Sequence, residues 1–171
     1  KGGNLIMSIF KAGFARLDIT PPLGVNISGY YNQRIADGIL DNLYASAVAV
    51  NDGTNTAVAL SLDIIGMPKN KMDAYRKLIA EKNSLSFEAV FIACTHTHTG
   101  PVMDNRLFAE DLEYNAYLGR KLCDVVSLAI ADLKPATVSI GRSKAPGISF
   151  VRRFRMKDGK IQTNPGVGNP N

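Results

Sequence analysis

The chain has 171 residues, 46% hydrophobic and 20% charged, with a formal net charge of +5. That suffices for one domain with a sizeable core, and it is the composition of an ordinary globular protein rather than a disordered, fibrous or disulfide-built one. No apolar run reaches the ~20 residues needed to span a membrane, and no signal-peptide pattern opens the chain.

Residues 1–8 read as a tag or extension ahead of the fold. Residues 9–19 alternate loosely and predict a first strand, which Thr20-Pro21-Pro22 ends because proline cannot continue a ladder. Residues 23–40 form a long loop with Gly24, Gly29 and Gly38; loops of this length in compact domains are often functional. Residues 43–51 and 56–65 predict two strands joined by a tight turn, in which Asp52-Gly53 supplies the positive φ. Pro68 opens a helix to about Lys82, with Met72, Tyr75, Leu78 and Ile79 on one face. The short apolar run 89–94 predicts a fourth, buried strand. Strand, helix, strand is a βαβ unit, so the third and fourth strands are expected to be parallel neighbours.

Asp104 or Asn105 is expected to cap a second helix over 107–133, whose apolar stripe runs through Leu118, Leu122, Val125, Val126, Ala129 and Leu133. Lys134-Pro135 ends it. Residues 136–145 and 148–156 read as two further strands, followed by a turn at Asp158-Gly159. Residues 164–171 carry no side chains suited to a core and read as a linker or loop at a truncation. The expected fold class is α/β: a single domain, 9–163, with a mixed, partly parallel sheet flanked by helices.

The chemistry concentrates in Thr95-His96-Thr97-His98-Thr99-Gly100-Pro101, which holds both histidines of the chain. In an extended backbone alternate side chains share a face, so His96 and His98 are expected about 6.5–7 Å apart on one side of a strand end. Two imidazoles there suit a metal or catalytic corner. Spacing alone leaves open two metal ligands, or one ligand and one group that meets a substrate. A catalytic zinc takes three protein ligands and one open position, so two histidines do not complete it. Parallel neighbours end at the same sheet edge, which brings Asp63 out beside His96. Asp63 has two readings there: a carboxylate that orients His96 through its second ring nitrogen, or a cap on the turn before the helix.

Residues 142–160 hold seven basic side chains against Asp158 alone, more than the whole-chain excess. The cluster suits an anionic group on a substrate or partner, or simply a solvated hairpin face. Cys94 and Cys123 lack the spacing of a zinc pair and read as small core residues.

Several stretches together resemble the neutral/alkaline, non-lysosomal ceramidase family: residues 12–24 with Asp18-Ile19-Thr20-Pro21-Pro22, residues 34–39 with Leu43-Tyr44-Ala45, Ser61-Leu62-Asp63, and the double-histidine motif. The resemblance runs from about Phe10 onward and matches the N-terminal part of such enzymes. These are zinc amidases that split the N-acyl bond of ceramide. The resemblance implies that His96 is a zinc ligand and that His98 lies near the substrate's amide oxygen. It further implies that Arg152, preceded here by Val151 where the family has Asn, meets the carboxylate of the acyl product. The family's remaining ligands, a second His, a Glu and a Tyr, and its serine have no counterpart in residues 1–171. The chain is therefore expected to be an N-terminal segment, inactive alone, with one zinc ion whose other ligands lie elsewhere.

Two readings follow. One is a segment of a zinc-dependent amide hydrolase acting on a small-molecule amide or lipid. The other is a non-catalytic binding domain that meets an anionic partner through the basic strands. No helix-turn-helix, zinc-finger or RNA-binding signature points to nucleic acid.

Overall fold

The computed structural model describes residues 10–166, 168 and 169. The expected extension at 1–8, the first residue of the expected first strand, and the last residues of the expected tail lie outside them. The chain divides after Thr137 into two compact units.

The first unit is built on a five-stranded sheet of order β4-β3-β2-β1-β5. Its strands are β1 (Lys11–Asp18), β2 (Tyr44–Asn51), β3 (Thr56–Leu62), β4 (Val90–Cys94) and the two-residue β5 (Lys134–Pro135). All pairs are antiparallel except β3 with β4, which run parallel from Val58↔Val90 to Leu62↔Cys94. The mixed, partly parallel sheet expected from sequence is therefore present. Helix α1 (Lys69–Asn83) connects the parallel pair, and α2 (Leu112–Ala131) follows β4.

One sheet face makes the core. Ala45, Ala47 and Ala49 of β2, Val58, Leu60 and Leu62 of β3, and Val90 and Ile92 of β4 are buried together with Tyr75 and Ile79 of α1 and Leu118, Leu122, Val125, Val126 and Ala129 of α2. Period-two strands and a 3.6-period stripe meet here, each element having one apolar side to hide. Leu78, expected on the buried face of α1, remains 43% exposed. Gly13 lets β1 approach the end of α2: a Cβ there would stand 2.1 Å from the Ala129 carbonyl oxygen. Both cysteines are free; Cys123 is buried and Cys94 packs against the core, as expected.

Two expectations are corrected. The second helix begins at Leu112, where the Asp111 side chain accepts from the Tyr114 N–H at 2.7 Å. Asp104 and Asn105 do not cap it. Asp104 instead accepts from the Arg106 N–H and guanidinium, and Asn105 exchanges hydrogen bonds with Glu110, so 104–110 is a loop held by its own polar side chains. The strands expected over 136–145 and 148–156 also shrink. Among its described residues the second unit has only the hairpin of β6 (Arg153–Arg155) and β7 (Ile161–Thr163), and residues 138–152 join no ladder. The turn at Asp158-Gly159 is present, with the Gly159 N–H donating to the Met156 carbonyl at 2.9 Å. Among the described residues no helix is long and apolar enough to cross a membrane.

Candidate functional site

The parallel pair β3–β4 continues past its formal ends. The Thr95 N–H donates to the Leu62 carbonyl at 2.9 Å and the Thr97 N–H to the Ile64 carbonyl at 3.3 Å. This seam carries the double-histidine motif at the carboxyl edge of the sheet, where open α/β sheets present ligand sites. The backbone does not stay extended: His96 has φ +62° and Thr99 φ +67°. The left-handed region is uncommon for any residue with a Cβ and is an outlier for a β-branched one. The two histidines nonetheless come together, with ring centroids 5.4 Å apart and planes at 66°. Their convergence comes from this irregular turn rather than from the alternation expected of a strand.

His96 is exposed, and its Nδ1 lies 2.8 Å from the Ile65 carbonyl oxygen. A carbonyl only accepts, so Nδ1 carries the hydrogen, and in the neutral ring Nε2 keeps its lone pair. This is the usual way a metal-binding imidazole is oriented, with a backbone carbonyl as the partner of the other nitrogen. The expected orienting group, Asp63, is at the right sheet edge but does other work. Its carboxylate accepts from the Tyr44 N–H at 3.0 Å and from the Thr95 hydroxyl at 3.3 Å. It ties β2 and the start of the motif to the end of β3, rather than capping the turn before α1. The backbone acceptor supplied by Ile65 takes the orienting role.

His98 opens onto a cleft of about 1050 Å³, whose walls include Ser28, Tyr30, Met67, Met103 and Phe108. The long loop 23–40 forms one wall. It is stitched to the motif by the Ser28 N–H to the Gly100 carbonyl at 2.8 Å and the Thr99 N–H to the Ser28 carbonyl at 3.0 Å. The Tyr30 ring meets His98 edge-on, centroids 6.1 Å apart and planes at 79°. The opposite wall, 102–108, is held through Glu110. Its carboxylate pairs with Lys71 of α1 and accepts from Asn105 at 3.0 Å and Asn115 at 2.7 Å. Asn26 fastens the two walls, its amide donating to the Ala109 carbonyl at 2.9 Å.

Arg152 precedes β6 in the second unit and is exposed, as are Arg153, Arg155 and Lys157. The residues that line the cleft all belong to the first unit.

No protein-family model matches the sequence, and no curated protein matches it. Solved structures do. The neutral ceramidase of Pseudomonas aeruginosa superposes with a TM-score of 0.64 at 20% identity, over 74% of this chain and 22% of that one. A ceramidase complexed with C2 gives 0.62 at 21% identity, over the same shares. The chain has a ceramidase-like fold. At a fifth of residues identical the likeness is one of fold, and the chain spans 22% of the length of these relatives.

Ser28, Gly29, Tyr30 and Ile65 are the site residues that sequence reasoning missed. Only the length of loop 23–40, with its Gly29, hinted at the first three. Ile65 acts through its backbone and leaves no signal at all.

Proposed function

We propose that this chain is part of a zinc-dependent amide hydrolase that cleaves the N-acyl bond of ceramide or a related N-acyl lipid or amide. The observation that carries the reading is the paired imidazoles, of which His98 lines the cleft and His96 is held by Nδ1, with no hydrogen bond to Nε2 among the described residues. The ceramidase-like fold and the apolar walls of the cleft support it.

His96 fits a single zinc ligand by that donor geometry. Among the described residues no three His, Cys, Asp or Glu side chains gather to hold a metal ion, so the remaining ligands are proposed to come from other polypeptide. Zinc in such a site polarises an amide carbonyl and lowers the pKa of bound water to about 7.

The chain's own groups would act as follows. His98 would donate to the oxygen of the scissile amide as negative charge builds on it, a contact whose removal costs about 3–4 kcal/mol in comparable sites. The apolar walls would hold an acyl group and exclude water. Arg152 would pair its planar fork with the carboxylate of the released acid.

The test uses a longer polypeptide containing residues 1–171 and a fluorescent N-acyl amide. Hydrolysis should be lost to a chelator and restored by zinc, and His98→Ala should lower kcat about a hundred- to a thousandfold. Arg152→Ala should weaken binding of the fatty-acid product, while Arg153→Ala, at the first residue of β6, should be nearly silent. Turnover that survives the chelator, or that ignores His98→Ala, overturns the reading.

A further inference from the structure

A group that donates to a reacting oxygen must keep its ring plane fixed. Among the described residues the His98 imidazole makes no hydrogen bond to protein; its ring meets the rings of Tyr30 and His96 and lies close against Gly29. Three observations identify what holds it. The Tyr30 ring stands edge-on to it, 6.1 Å between centroids. The Arg34 guanidinium lies over the Tyr30 ring, 4.3 Å from its centroid. The base of this loop is closed by the Ile27 N–H to the Arg34 carbonyl at 3.0 Å and by the Asn26↔Ile35 bridge. Arg34 and Tyr30 are thus on one stitched turn, with the cation on one side of the phenol ring and His98 at the other contact.

We propose that Tyr30, held in place by Arg34, is a positioning residue for the His98 imidazole. The inference rests on the reading of His98 as the group that meets the scissile amide. An aromatic face prefers an aromatic edge to a parallel sandwich, and a guanidinium over the ring opposes its swing into the open cleft. Tyr30 fixes which edge of His98 looks into the cleft without giving or taking a proton. Its hydroxyl is therefore dispensable and its ring is not.

The experiment records the ring resonances of 13C-labelled histidine in the 171-residue chain, without metal or substrate, at a pH of about 8.5 where an ordinary imidazole is neutral. Only two histidines are present, so His96→Gln assigns the spectrum. Tyr30→Leu is expected to move the His98 resonances toward those of an unstructured peptide, Tyr30→Phe to leave them in place, and Arg34→Gln to move them part of the way. Unchanged His98 resonances in Tyr30→Leu overturn the proposal, as does a Tyr30→Phe shift as large as that of Tyr30→Leu. If Tyr30→Leu does not fold, Arg34→Gln decides: a shift supports the proposal and none overturns it. These spectra do not depend on hydrolysis. Failure of the hydrolase reading leaves them standing, and failure of the positioning role leaves the zinc and turnover assays untouched.

Discussion

Gly29 and His98 are packed so closely that a Cβ at position 29 would force the imidazole to shift. A Cβ built on Gly29 would stand 2.6 Å from both Cγ and Nδ1 of His98, and its φ is +101°. The loop and the imidazole are therefore shaped to each other. Gly29→Ala should lose roughly 1–2 kcal/mol of stability from backbone strain alone, and should push the His98 ring out of its seat. Urea unfolding reads the first effect and histidine NMR the second. A loss of stability with the His98 resonances unmoved would show that the close approach does not seat the ring.

Thr99 stores strain beside the site. It is β-branched with φ +67°, while its N–H bond to the Ser28 carbonyl needs only the backbone. Thr99→Gly should relieve about 1–2 kcal/mol of left-handed strain and give back roughly 0.5–1 through the freer unfolded chain. A net gain of about 0.5–1 kcal/mol is expected, visible as a rise in the thermal midpoint. A fall would mean that the Thr99 side chain contributes more than its backbone costs.

Alkaline stability should depend on two tyrosines. Burial pushes the Tyr75 phenol up from 10.0 to about 12, and desolvation raises Tyr114 still further. Above pH about 10 the unfolded chain loses these protons before the folded one does, so the folded state binds more protons and stability falls as pH rises. Below that pH the contribution is complete. Tyr114 donates to the Ile19 carbonyl at 2.6 Å and Tyr75 to the Asn115 carbonyl at 3.0 Å. The Tyr75→Phe, Tyr114→Phe double variant should lose about 1 kcal/mol per hydrogen bond at pH 8, yet destabilise less steeply between pH 10 and 12. Parallel pH profiles for variant and parent would contradict the assignment.

Lys71 and Glu110 should respond unequally to substitution. Their side chains are only 20% and 11% exposed, and Glu110 also receives the amides of Asn105 and Asn115. Glu110→Ala strips three donors of their acceptor and should cost roughly 2–4 kcal/mol. Lys71→Met leaves Glu110 its two amide partners and should cost about half as much. A double-mutant cycle measures the coupling. Equal single costs would mean that the ion pair, not the amide network, holds this wall of the cleft.

Much of the architecture follows from local pattern. Alternation places β1 to β3, the stripe from Leu118 to Ala129 requires a helix packed on one side, and the helix between β3 and β4 makes that pair parallel. The same pattern delivers the double-histidine motif to the carboxyl edge of the sheet. Polar residues are less legible: Asp104, Asn105 and Asp111 are all chemically fit to cap α2, and only packing of the 102–110 wall decides for Asp111. The strands expected beyond Pro135 depended on partners that a local pattern does not reveal. What the sequence by itself determined is which residue types meet solvent, core and sheet edge, because side-chain periodicity is a local property. Only the tertiary structure decided how the histidines are held, by the Ile65 carbonyl, the bare Cα of Gly29 and the edge of Tyr30. Those contacts join segments far apart in the chain, through a backbone oxygen and a missing side chain that imprint no period on it.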